Sequence, residues 1–93
     1  MNNIDFDEFL EMFYAPLRFA CMLYNDNREK KGDSWNDKTA TSIEYLQQRL
    51  MKKLGEYFGT GKSKYRESCD ALNLILMITQ RELNKSKEMI NVE

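Results

Sequence analysis

Three carboxylates carry the most informative spacing in this chain. Glu67 and Asp70 lie three residues apart, so on a helix they share a face. Glu56 lies near the end of the preceding segment and faces them if the two segments run antiparallel. Carboxylates converging in this way form a hard-cation site of the kind that holds magnesium on phosphate substrates. The same residues also fit a plainer arrangement, in which they close a helix start and pair with Lys64 or Arg66. Around them the charge is reversed. Between residues 49 and 66, Arg49, Lys52, Lys53, Lys62, Lys64 and Arg66 stand against the single acid Glu56, a local charge of about +5 in a chain of net charge −1. Such a patch is either a solvated helix face or a site for a polyphosphate, nucleic acid or acidic protein surface. No reading-helix motif accompanies it, so nucleic acid is the disfavoured partner. Trp35, the one tryptophan, sits in a polar stretch, where it either stacks on a nucleobase or plugs the core beneath a loop.

Other patterns exclude chemistry. With no histidine in 93 residues there is no Ser-His-Asp or Cys-His catalysis and no zinc site using imidazole. The string Gly59-Thr60-Gly61-Lys62-Ser63 looks like the end of a phosphate-binding P-loop. That motif needs glycine where Glu56 stands and a strand in front, and here a helical pattern precedes it. It reads as a turn between helices, with backbone N–H groups that can still meet an anion. Cys21 and Cys69 are far apart and lack a CxxC neighbour, which points to a reducing compartment, the cytoplasm. The acidic start, with Asp5, Asp7, Glu8 and Glu11, is unlike a signal peptide, and no apolar run is long enough to span a bilayer.

The elements that must position these residues are helical. Phe6, Phe9, Leu10, Phe13, Leu17, Ala20, Cys21 and Tyr24 recur at spacings of three and four, predicting a helix over 4–25. Asn3 or Asp5 caps it, and Pro16 kinks or splits it near Tyr14 and Ala15. Residues 26–39 read as a long connection. Thr41-Ser42-Ile43-Glu44 matches a capping box for a helix over 41–58, with Ile43, Leu46, Leu50, Leu54 and Tyr57 along one face. Gly59-Thr60-Gly61 ends it, since glycine can take the left-handed cap. A third helix runs from 63 to about 84, with a broad apolar face of Ala71, Leu72, Ile75, Leu76, Ile78 and Thr79; the tail over 84–93 continues it or packs on a partner. The expectation is one all-α domain over 1–93. It is a small bundle of three main helices completed by homo-oligomerisation, with the aromatic first helix as the contact surface.

Gly32-Asp33-Ser34-Trp35, then a capped helix, then Glu67-x-x-Asp70 leading into Ala71-Leu72-Asn73-x-x-Leu76-Met77-Ile78, resembles the MazG-like all-α nucleoside triphosphate pyrophosphatases. Small phage and prophage members with a GDSW segment are the nearest in pattern, and the resemblance covers about 28–80. It implies a bundle completed by dimerisation and magnesium-dependent hydrolysis of nucleoside triphosphates to monophosphate and pyrophosphate. The family's metal motif is Glu-Glu-x-x-Glu on one helix and Glu-x-x-Asp on the next. Here Glu67 and Asp70 match the second motif and Glu56 the last acid of the first, while the two leading glutamates fall on Lys52 and Lys53. That exchange alters the site charge by about four units, and Lys53 is placed to pair with Glu67 or Asp70 where the metal would lie. The resemblance therefore implies a cofactor-free binding protein. Its ligand is a nucleotide held by Trp35, Lys52, Lys53 and Lys62, with Lys64 and Arg66 nearby, or else a host protein, as for a phage-encoded inhibitor of a defence system. The alternative is a working magnesium pyrophosphohydrolase on Glu56, Glu67 and Asp70, assisted by Glu44.

Overall fold

The computed structural model describes residues 2–59 and 64–90. It contains α1 (Phe6–Met12), α2 (Tyr14–Lys31), a 3-10 turn (Ser34–Asn36), α3 (Ile43–Phe58) and α4 (Lys64–Ile90), with no strand among the described residues. The fold is all-α. No helix of the described residues is long and apolar enough to cross a membrane.

The first helix is split, as Pro16 requires, with the break at Phe13. Phe13 leaves helical geometry (φ −114°, ψ 23°) and ends α1 while opening α2. This places Pro16 in the first turn of α2, where a missing N–H leaves no bond unmade. Asp5 caps α1, its carboxylate accepting from the Glu8 N–H at 2.8 Å.

Three expected boundaries need correction. Helix α2 does not stop at Tyr24 and Asn25 but runs to Lys31, so most of the expected connection is helical. Arg28, Lys30 and Lys31 favour the negative end of the helix dipole there, and Gly32 stops it at φ 74°. The cap of α3 is Ser42, whose hydroxyl accepts from Tyr45 N–H at 3.0 Å, one residue beyond the expected Thr41. Thr41 is instead buried, and its carbonyl accepts from Arg81. Gly59 is extended (φ −79°, ψ −172°), not left-handed. Residues 60–63, including Lys62 and most of the P-loop-like string, lie outside the described residues.

Helix α4 is the centre of the fold. It continues into the tail, to Ile90. Cys69 S–H donates to Pro16 O at 3.8 Å and Asn73 Nδ2 to Ala20 O at 2.8 Å; the constant offset makes α2 and α4 parallel. Lys53 lies beside Glu67 and Asp70, while Arg81 reaches Thr41 before the other end of α3, so α3 and α4 are antiparallel. Helices α2 and α3 barely touch each other, and α1 packs sparsely on α2. The core is small: among the described residues Ala20, Leu23, Leu46, Cys69, Ala71 and Leu74 are the buried apolar side chains. The expected α3 face holds only in part, because Leu46 is buried while Leu54 is 37% exposed. On α4, Ile75 and Leu76 remain open to solvent.

Candidate functional site

Spacing of three on each of two antiparallel helices brings four charged side chains to one point. Lys53 and Glu56 come from α3, Glu67 and Asp70 from α4. Lys53 Nζ lies 3.4 Å from Asp70 Oδ2, 3.5 Å from Glu56 Oε2 and 3.9 Å from Glu67 Oε2. Glu67 and Asp70 are buried, and Lys53 and Glu56 close the site on the solvent side. Glu67 Oε2 is buried with no hydrogen-bond partner. A proton shared with Glu56 and burial hold the Glu67 carboxyl above the ordinary glutamate value of 4.5, while Lys53 pulls the other way. Glu56, accepting from that shared proton and facing Lys53, is held below it.

The three acids proposed as metal ligands do converge, but their common point is taken by an ammonium group. Among the described residues no group of three or more acids or cysteines is arranged to hold a metal ion. As placed, the set does not fit magnesium. Glu44 is in the first turn of α3, at the far end from Glu56, and is exposed.

Beside this cluster a cavity of about 330 Å³ opens where α2 and α3 diverge over α4. Arg28, Lys31, Arg49, Lys53 and Arg66 line it against one carboxylate, Asp70. Trp35, Tyr24 and Tyr45 supply aromatic wall, and Asn73 an amide. Trp35 is half-buried and tightly tethered. Its Nε1–H donates to Tyr24 OH at 2.8 Å, and its carbonyl accepts from Arg81 Nη1 at 2.7 Å. Tyr24 OH in turn reaches Asp33 at 3.3 Å, and Arg28 Nε donates to the other Asp33 oxygen at 2.8 Å. The loop bearing the tryptophan is thus fastened to α2 on one side and α4 on the other.

Of the expected ligand-binding residues, Trp35, Lys53 and Arg66 line this cavity. Lys52 is exposed on α3 outside it. Lys64 is turned away, donating to Tyr57 O at 2.9 Å and lying over the Tyr57 ring. Lys62 is among the residues not described. Sequence reasoning missed Tyr24, Arg28 and Lys31 because it placed the last two in a loop. Their spacing of four and three on one helix face was the available signal. It also missed Arg81, a buried cation whose neighbours lie some 40 residues away. Comparison with protein-family models, curated proteins and solved structures finds no match to this chain.

Proposed function

We propose that this chain is a nucleotide-binding protein of MazG-like architecture in which Lys53 stands where relatives hold a metal ion. The observation that carries the reading is the cavity: five cationic side chains and three aromatic rings around about 330 Å³. Its size matches small-molecule pockets, which begin at about 300 Å³. Guanidinium groups donate paired N–H bonds to phosphate oxygens, and a fixed indole offers a base a stacking face. Lys53 neutralises part of the acid cluster without an ion, so binding would need no magnesium.

The test is calorimetric titration of deoxynucleoside triphosphates in EDTA. Binding is expected, and Arg49→Ala should weaken it about tenfold or more, the loss of one charge-assisted contact. No heat with any nucleotide, but capture of an acidic host protein through the same cations, would favour the inhibitor reading. Glu67 Oε2, buried without a hydrogen bond, is the one observation on the side of a hydrolase. Pyrophosphate released with magnesium, and lost in Asp70→Asn, would establish that reading instead.

A further inference from the structure

Arg81 is a buried cation with no carboxylate paired to it. It is 7% exposed, on the C-terminal half of α4. A side chain that is always charged is rarely buried so far without a partner, because leaving water strips its hydration. No ion pair among the described residues includes Arg81. Asp37 is close enough to feel the guanidinium, but its Oδ1 accepts from the Thr39 N–H at 2.9 Å and from the Thr39 hydroxyl at 2.6 Å. Only Nη1 of Arg81 is hydrogen-bonded, donating to Trp35 O and Thr41 O, both at 2.7 Å. Nε and Nη2 have no partner among the described residues. These two N–H groups point side by side from one edge of the planar guanidinium, the edge that takes both oxygens of a carboxylate.

That edge is not sealed from solvent. Arg81 lines a cavity of about 570 Å³ between the 3-10 turn, the start of α3 and α4. The cavity shares no lining residue with the one beside Lys53. Its charged walls are Lys38, Arg81 and Lys85 against Asp37 and Glu88, three cations to two acids. Lys38 and Glu88 neutralise each other, 3.3 Å apart and both more than half exposed. Lys85 stands one helical turn beyond Arg81, on the same face of α4. One positive charge is therefore left over, which suits a single negative charge. A phosphate dianion or a polyphosphate would bring more charge than the walls balance, and would meet Asp37 and Glu88. Ile43 adds an apolar surface.

We propose that this cavity binds a small monocarboxylate, its two oxygens on Arg81 Nε and Nη2, its charge shared with Lys85 and its short hydrocarbon body against Ile43. The ligand is then the counter-ion of the buried guanidinium. Nη1 keeps its hold on Trp35 and Thr41 while a different edge of the same group is filled.

Proton–nitrogen NMR of the 15N-labelled chain reads the Arg81 Nε–H directly. No nucleotide is present, so the result is separate from that of the nucleotide titration. Through-bond correlation along the side chain assigns the peak without any substitution. Butyrate is expected to move it downfield to saturation. Butyramide, the same shape without the charge, and phosphate at equal ionic strength should leave it in place. No movement with butyrate up to about 100 mM, well above the Kd of even a weak ligand of this size, overturns the proposal. Phosphate acting as strongly as butyrate overturns the choice of a carboxylate. Movement of the Arg49 peak instead puts the anion in the other cavity and also overturns it. Lys85 is exposed, so Lys85→Glu should keep its helical circular dichroism and bind butyrate about tenfold more weakly. An unchanged affinity in that variant removes the anion from the face that Lys85 shares with Arg81.

Discussion

Lys53 decides what the acid cluster can do. An ammonium within 4 Å of three carboxylates supplies one positive charge, half that of a divalent ion, and neither its coordination number nor its Lewis acidity. Removing it should therefore expose a latent cation site. In Lys53→Ala, manganese is expected to raise the melting temperature by an amount worth about 3 kcal/mol at a hundredfold excess over Kd, while the wild type stays unmoved. A shift in the wild type would show that Lys53 is no barrier. The same cluster sets a pH dependence. Glu67 is held above 4.5, so the folded chain keeps that proton more tightly than the unfolded one. Its contribution is complete below 4.5 and is lost as pH rises through the raised value. Glu56 is held below 4.5 and acts in the opposite sense, its contribution being lost as pH falls through the lowered value. Stability from this pair is thus greatest with Glu67 protonated and Glu56 ionised. Thermal melts from pH 4.5 to neutrality should decline less steeply in Glu67→Gln than in the wild type, and identical slopes would remove Glu67 from the account.

At the scale of elements, the sequence was readable where a local rule had no competitor. Pro16 announced a break, Glu67 and Asp70 announced a shared face, and the α3 periodicity placed Leu46 in the core. Rules failed where tertiary contacts chose between neighbours. Thr41 and Ser42 are both good caps; the guanidinium of Arg81 holds the Thr41 carbonyl at 2.7 Å, and the cap falls to Ser42. No local pattern around Thr41 contains that information. The end of α2 was lost for a related reason: Asn25, Asp26 and Asn27 are poor helix interiors, but Arg28 to Lys31 extend the helix, and Gly32 supplies the stop. The candidate site was legible as a point of converging acids and not as a cavity, since the cavity's walls come from three helices whose divergence no spacing encodes. The cap assignment makes a clean comparison. Ser42→Ala should cost about 1 kcal/mol, read from denaturant midpoints, because it removes the acceptor of the Tyr45 N–H. Leu46→Ala, at 1% exposure the best-buried large side chain, should cost about 2–5 kcal/mol. If Ser42→Ala were silent, the capping box at Thr41 would stand after all.

At the scale of the whole molecule, a core this small bears on how the chain melts. A 93-residue domain has little margin even when compact. Among the described residues six apolar side chains are buried, and only Leu46 is fully so. If a second copy completes the fold, part of the free energy of folding is free energy of association, and it varies with concentration. Each tenfold increase in protein then adds about 1.4 kcal/mol per dimer. For a unit of twice this length, that displaces the midpoint by about 3–6 °C. Calorimetric scans at three concentrations spanning a hundredfold range should therefore show the melting temperature climbing steadily, with one cooperative transition throughout. A midpoint independent of concentration would mean that a single copy carries its own stability, and that the open faces of α1, α2 and α4 await some other surface. The same scans on Phe9→Glu separate the two contributions: a variant that melts low, and at one temperature whatever its concentration, has lost association and retained the fold around α4.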